Sequence, residues 1–251
     1  MTVWPAGTGL EVFDEIDSTL DEARRRADAG ETGPLWIAAH RQTKGRGRQG
    51  RAWSSEPGNL AATGLFRFDG PPAEAAKLSF ATALAVADTT QSLAPAAIVR
   101  LKWPNDVLVN GGKASGILLE SYGKTSDGQL LLAIGIGINL AHHPDPQDAA
   151  VPPTCLKDVT GVIPDFDQAL LVLADRVGHW INTHRSHGFD EVRRQWLARA
   201  YNIGGQVQVR LPSETLTGTF ADLDNDGALV LQAASGTRRI AAGDVFFPGS
   251  G

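Results

Sequence analysis

Leu35-Trp-Ile-Ala-Ala-His-Arg-Gln-Thr-Lys-Gly45-Arg46-Gly47-Arg48-Gln-Gly50-Arg51 is the stretch on which the reading of this chain turns. Its first five residues form an apolar run of strand length, and they feed directly into a basic, glycine-rich loop. Glycines at spaced positions let the backbone approach a ligand closely and adopt positive φ. The arginines between them are planar, permanently charged forks suited to phosphate and carboxylate oxygens. With Arg41 and Lys44 the segment holds five cations, and no acid occurs between Glu31 and Glu56. Such a concentration of charge needs an anion or solvent to relieve its repulsion, so the loop reads as a phosphate- or carboxylate-binding element. It is not Gly-x-x-x-x-Gly-Lys-Ser/Thr, and no helical pattern follows its glycines, so neither the usual phosphate loop nor the dinucleotide fingerprint applies. Taken alone, it could also be a solvated loop or a nucleic-acid-binding arginine-glycine segment.

Working outward, Leu10 to Ile16 reads as a strand, and Ser18 as the cap of a helix through Ala29 with Asp21 and Glu22 in its first turn. Leu60 to Phe68 is a strand and alanine-rich Ala73 to Leu93 a helix. Ile98 to Lys102 and Asp106 to Val109 are strand pieces either side of Trp103-Pro104, and Asn110-Gly111-Gly112 is a hairpin turn. Lys113 to Tyr122 and Gln129 to Leu140 pair across Ser126-Asp127-Gly128. A Pro-rich loop, His143 to Pro153, precedes two helices, Phe166 to His184 and Phe189 to Tyr201. After Gly204-Gly205 the pattern becomes short alternating strands with glycine turns: Val207 to Leu211, Thr215 to Phe220, Ala228 to Gln232 and Thr237 to Ala241. That spacing predicts a small β-barrel and a boundary near Tyr201.

Composition narrows the function. A chain of 251 residues, 42% hydrophobic, buries a sizeable core, and its net charge of −5 argues against a generally basic nucleic-acid surface. A single cysteine, Cys155, excludes an intrachain disulfide framework and a cysteine metal cluster. No signal-peptide pattern and no apolar stretch of membrane-spanning length is present, so a cytoplasmic protein without membrane attachment is expected. Asp222-Leu-Asp224-Asn-Asp226-Gly227 imitates the opening of a calcium loop, but its twelfth position is Ala233, and Asp226-Gly227 makes a better hairpin turn. The six histidines show no metal-ligand spacing.

Three further segments carry chemistry. In Lys102-Trp103-Pro104-Asn105-Asp106, proline holds an amide and a carboxylate at a strand end, where they can bond sugar hydroxyls, orient a cation or simply form an Asx turn. In Gly111-Gly112-Lys113-Ala114-Ser115-Gly116-Ile117-Leu118-Leu119-Glu120, a lysine opens an otherwise apolar strand and can neutralise a phosphate during acyl transfer; a solubilising edge lysine is the plainer reading. In Gly135-Ile136-Gly137-Ile138-Asn139, spaced glycines weaken a strand unless something approaches its face.

The order of these elements, beginning with Asp17-Ser18-Thr19 and continuing through Gln42-Thr-Lys-Gly-Arg-Gly-Arg-Gln-Gly-Arg-Ala-Trp53 to Gly-Ile-Gly-Ile-Asn139, closely resembles the biotin–protein ligases from about Leu10 to the C-terminus. The resemblance implies an α+β fold: a mixed β-sheet catalytic domain with helices packed on it, residues 1–201, and a small SH3-like β-barrel, residues 202–251. It implies a ligase that joins biotin to a lysine of a biotin carboxyl-carrier domain, as in acetyl-CoA carboxylase. Biotin and MgATP first form biotinyl-5′-AMP, and the carrier lysine then attacks it. By the same resemblance, biotin is bound by Ser18, Thr19, Leu20, Gln42, Gly45, Arg46, Gly47, Arg48, Lys113 and Gly116. ATP and the adenylate are bound by Arg46, Arg48, Arg51, Trp53, Asn105, Asp106, Lys113 and Asn139. Lys113 and Arg48 are the catalytic candidates. Asp106 is open between a Mg²⁺ ligand, a ribose contact and a group that deprotonates the incoming amine. Leu20 stands where the family has asparagine, and Lys44 where a small residue is common. The ligase-like pattern already begins at Leu10, which predicts a monofunctional enzyme with no DNA-binding role; monomer and homodimer are both open. A lipoate or octanoate ligase, or a non-catalytic biotin- or nucleic-acid-binding protein, are the competing readings.

Overall fold

The computed structural model describes residues 3–145 and 151–247. The strands are β1 (Gly9–Ile16), β2 (Leu35–Gln42), β3 (Leu60–Phe68), β4 (Val99–Lys102), β5 (Asp106–Val109), β6 (Gly112–Lys124) and β7 (Leu130–Ile138). They form one sheet in the order β1-β2-β3-β7-β6-β5-β4, parallel between β1 and β2 and antiparallel elsewhere. This is the mixed sheet expected from the sequence. Among the described residues four helical elements accompany it: α1 (Thr19–Asp28), α2 (Pro72–Leu93), the short α3 (Leu156–Thr160) and α4 (Phe166–Leu197). Ser18 caps α1 by accepting from the Asp21 amide.

Strand β7 shows how the sheet divides its faces. Side chains alternate across a strand, so Leu132, Ile134, Ile136 and Ile138 enter the large core shared with α2 and α4, while Leu131 and Ala133 meet α1 on the other side. Further along that second face come Gly135 and Gly137. Their missing side chains make room for Leu20 of α1 over Gly135 and for the Trp53 ring over Gly137, and the pocket described below opens beside them.

The two helices expected after residue 165 are present as the two halves of α4, which meet at a kink at Gly188, where φ 72° and ψ −175° leave the helical region and are available to glycine at low cost. The remaining strands, β8 (Gln206–Arg210), β9 (Thr215–Leu223), β10 (Leu229–Ala233), β11 (Gly236–Ile240) and β12 (Asp244–Phe246), form a separate antiparallel sheet ordered β11-β10-β9-β8-β12. Among the described residues no ladder joins β11 to β12, so the tail is a five-stranded antiparallel sheet whose pairing does not close into a barrel. The calcium-like segment is a hairpin turn: the Asp226 and Ala228 amides donate to Asp224 Oδ1. Trp103 donates its indole N–H to the Gly227 carbonyl at 3.0 Å, which ties this second sheet to the turn between β4 and β5. No described helix is long and apolar enough to cross a membrane. The Pro-rich loop lies partly in residues 146–150, outside the described residues.

Candidate active site

The basic loop folds as a miniature hairpin. The Trp53 amide donates to the Gly45 carbonyl at 2.9 Å, Arg46 bridges to Ala52, and the Gly47 amide donates to the Arg51 carbonyl at 2.7 Å. A 3-10 turn at Arg48–Gly50 forms the tip, with Gln49 and Gly50 at positive φ. Gly45 is required by close approach, because a Cβ there would lie 2.5 Å from the Trp53 carbonyl oxygen. This hairpin covers a cavity of about 470 Å³. Its walls come from the start of α1, the end of β2, the β4–β5 turn, β6, β7 and one edge of the second sheet, at Arg210 and Asp244 to Phe246.

The floor is glycine. Gly116 on β6 pairs with Gly137 on β7, and Leu118 pairs with Gly135. Trp53 lies on the first pair: a Cβ on Gly116 would meet its ring at 3.0 Å, and one on Gly137 would overlap the indole. Leu20 lies on Gly135, where a Cβ would be 2.7 Å from its Cδ1. Leu20 is buried and also packs with Leu35 and Leu131. The residue that replaces the usual asparagine therefore makes an apolar wall.

Neutral polar groups sit beside this floor. Thr19 donates from its amide (2.8 Å) and its hydroxyl (3.1 Å) to Gln42 Oε1, and Thr63 donates to Thr19 Oγ1 at 2.9 Å. The chain fixes the Gln42 carboxamide in one orientation and leaves its amide N–H groups for a ligand. Ser18 also lines the cavity.

At the mouth stand the charged groups. Lys113 Nζ is 2.7 Å from Asp106 Oδ1 and 5.7 Å from the centroid of the Trp53 ring. Lys102 Nζ is 3.2 Å from Asp106 Oδ2. Asp106 is 8% exposed, and burial alone would raise its carboxyl pKa; the two ammonium groups outweigh burial and hold it below the ordinary range. A carboxylate with a cation on each oxygen is a weak base and a poor metal ligand. In this arrangement Asp106 anchors Lys102 and Lys113, a role beside the three that the sequence left open for it. No group of three or more His, Cys, Asp or Glu placed to hold a metal occurs among the described residues. Asn105 spans the same turn, donating to the Ile117 carbonyl at 2.5 Å and accepting from Arg48 Nη1 at 3.3 Å.

From the sequence the loop needs an anion or solvent to relieve its charge; in the structure acids from distant segments supply part of that relief. Arg46 pairs with Asp21 (2.8 Å) and Glu120 (2.5 Å), Arg51 with Asp244 (2.5 Å), and Arg41 with Glu15 (2.6 Å). Arg48, partnered by a neutral amide, keeps its charge available.

A second cavity of about 300 Å³ adjoins the first and shares Ala52, Trp53, Lys113 and Val151 with it. Asn139 lines this one, its Nδ2 donating to the Thr154 carbonyl at 3.0 Å. Ser18, Thr19, Leu20, Gln42, Arg46, Gly47, Arg48, Arg51, Trp53, Asn105, Asp106, Lys113 and Gly116 all line the larger cavity; Gly45 lies behind it, packed on Trp53. The sequence reading missed Lys102, Asp21, Glu120 and Asp244. Lys102 and Glu120 lie within the quoted Lys102–Asp106 and Gly111–Glu120 segments and Asp21 in the first turn of the expected helix, whereas nothing in the sequence singles out Asp244.

Comparison with known proteins agrees with this arrangement. The biotin/lipoate A/B protein ligase family matches residues 12–139, and the biotin protein ligase C terminal domain matches residues 203–247. A biotin–[acetyl-CoA-carboxylase] ligase of Paracoccus denitrificans is 41% identical over 237 residues, covering 93% of this chain and 98% of that protein. Its counterpart from Mycobacterium tuberculosis is 34% identical, with 96% and 90% covered. The biotin protein ligase of Aquifex aeolicus, solved in complex with biotin and ATP, superposes with a TM-score of 0.79 at 28% identity over 94% of this chain and 97% of that one.

Proposed function

This chain belongs to the biotin/lipoate A/B protein ligase family, and we infer that it is a biotin–protein ligase that uses ATP to attach biotin to a lysine of a biotin carboxyl-carrier domain. The observation that carries the chemistry is the junction of the two cavities, where Lys113 and Trp53 belong to both. The larger cavity suits biotin. Its glycine floor and the Leu20 wall accept an apolar bicycle and chain, and Ser18, Thr19 and Gln42 offer neutral hydrogen-bonding partners to a ureido group. The smaller cavity, with Asn139 and the Trp53 ring, suits the adenosine.

A carboxylate is a poor electrophile at its carbonyl carbon and has no good leaving group. In the first step one biotin carboxylate oxygen attacks the α-phosphorus of ATP, and the bond from that phosphorus to the bridging oxygen of pyrophosphate breaks. Two anions must meet for this, so the site has to supply fixed positive charge where it develops. Lys113 is held at the junction by Asp106, and Arg48 hangs from the hairpin tip over the mouth. In the second step a carrier lysine, as its neutral amine, attacks the acyl carbon. AMP leaves with the electron pair of the C–O bond, and the amine's proton passes to solvent. With Asp106 held between two ammonium groups, its carboxylate is a weak base for that proton. Mg²⁺ arrives with the triphosphate as part of the substrate, consistent with its preference for phosphate and water oxygens over a dedicated protein cage. ATP and carrier proteins as substrates support a cytoplasmic place of action.

Incubation with biotin, MgATP and an isolated carrier domain tests this. A single biotin adduct on one carrier lysine, absent without ATP, is expected. Modification by lipoate or octanoate in place of biotin would keep the fold and overturn the substrate.

A further inference from the structure

The three guanidiniums of the hairpin are not equivalent. Arg46 donates from Nε (3.2 Å) and Nη2 (2.8 Å) to Asp21 Oδ1, and from Nη1 (2.5 Å) and Nη2 (3.3 Å) to Glu120. Its fork is therefore filled by two carboxylates, one from the first turn of α1 and one from β6. Glu120 is itself enclosed: its side chain is 20% exposed, with Arg24 at 3.8 Å, and Tyr122, two residues along the same strand, donates to the Leu20 carbonyl at 2.8 Å. The Arg24 guanidinium covers the Tyr122 ring at 4.2 Å. The Arg46 guanidinium is held more firmly protonated than usual, Glu120 being the larger cause and Asp21 the lesser, against burial.

We propose that Asp21 and Glu120 are positioning residues for this ligase, gripping the Arg46 side chain so that the hairpin stays docked over the pocket, and that this side chain is a tether and not an anion ligand. The inference rests on the function proposed above, but the tether itself does not. Phosphate bound to Arg46 would have to displace two carboxylates already in fork geometry. Arg48, two residues further along, has only the Asn105 amide to give up. The grip joins three segments that the ligand must bridge: α1, which carries Thr19 and Leu20; β6, which carries Lys113 and Gly116; and the hairpin, which carries Arg48 and Trp53.

The sign of one substitution separates tether from ligand. If Arg46 were an anion ligand restrained by its acids, Glu120→Gln would free it and slow release of the adenylate. As a tether, Glu120→Gln loosens the hairpin and speeds release by about fivefold, the factor appropriate to a partly buried ion-pair network. Arg46→Lys, which keeps the charge and loses the fork, should match Glu120→Gln. Arg46→Gln/Glu120→Gln should release no faster than Arg46→Gln alone, because residues of one network act non-additively. In ligand-free protein, trypsin should cut the hairpin about fivefold faster in Glu120→Gln and in Asp21→Asn; the variant at Asp21, the less buried of the two acids, serves if the other does not fold. Slower adenylate release in either acid variant, or unchanged cleavage in both, overturns the tether. If the wild-type chain makes no adenylate, the functional reading fails, and the cleavage comparison still decides the tether.

Discussion

Asp106→Asn should damage stability and catalysis together, and the structure sets the scale of each. The side chain keeps its shape, but two ammonium groups at 2.7 and 3.2 Å lose their counter-charge. Each attraction is about 5–6 kcal/mol at an effective dielectric of 20, set against desolvation that the substitution does not return. Removing one member of a buried pair costs about 3–5 kcal/mol. The Lys102 side chain is 8% exposed and bears that cost, whereas Lys113, at 33%, regains water and bears less. About 3 kcal/mol is therefore the expected loss, which for a chain of this size lowers Tm by about 6–12 °C. Lys113, no longer aimed at the cavity junction, should slow adenylate formation by about 100-fold, the penalty for misplacing a catalytic group by about an ångström. The pH dependence adds a signature. The Asp106 pKa is depressed on folding, so its contribution is complete above the unfolded carboxylate value near 4 and is lost as pH falls through the folded value. The gap between wild type and variant in urea unfolding should therefore be constant at pH 6–8 and narrow in acid below pH 4. A variant as stable and as fast as wild type in pyrophosphate release would refute the view that Asp106 anchors Lys113.

Three other outcomes follow from the geometry. Lys113→Ala should reduce biotin-dependent pyrophosphate release by about 10²–10³-fold while leaving the protein folded by circular dichroism, since one electrostatic donor at a reacting anion has that worth; a near-normal initial rate would contradict its role. Gly137→Ala places a methyl group in the Trp53 indole, an overpacking that costs about 1–3 kcal/mol and displaces the wall between the cavities; KM for both biotin and ATP should rise, and unchanged values would show that the ring is not that wall. His184 is buried with no partner for Nε2, and burial holds its pKa below the usual 6.5, Glu74 opposing weakly and Lys77 adding to the effect. The unfolded chain then binds the proton more readily, so stability should fall as pH drops below about 6.5. His184→Leu should flatten that slope between pH 5 and 7 in urea unfolding, and an unchanged slope would exclude His184 as its source.

Features written in local chemistry were legible in the sequence. Ser18 followed by Asp21 and Glu22 marked the start of α1, Asn110-Gly111 marked its turn, and Gly-Ile-Gly-Ile-Asn139 marked a strand that something approaches. Gly188 marked the boundary between two helical stretches, and the kink in α4 falls there, at a non-helical φ and ψ that glycine tolerates. The three-residue β12, with one buried side chain, has too little periodicity to be read. What remained hidden at the site is long-range pairing. Glu120 lies 74 residues from Arg46, and Asp244 lies 193 from Arg51. No spacing in the sequence says that these acids converge on a loop that contains none. The loop alone therefore reads as an unrelieved positive cluster, whereas in the structure Arg46 is engaged by two carboxylates, Arg51 is tied to the second sheet, and Arg48 meets the neutral Asn105 amide.

The most direct test of the account is pyrophosphate release from MgATP in the absence of any carrier domain, with biotin, lipoate and octanoate compared side by side. The account predicts a burst with biotin alone, about one equivalent per chain, and biotinyl-5′-AMP recovered from the protein. Release driven by lipoate or octanoate, or no release from folded protein with any of the three, would contradict it.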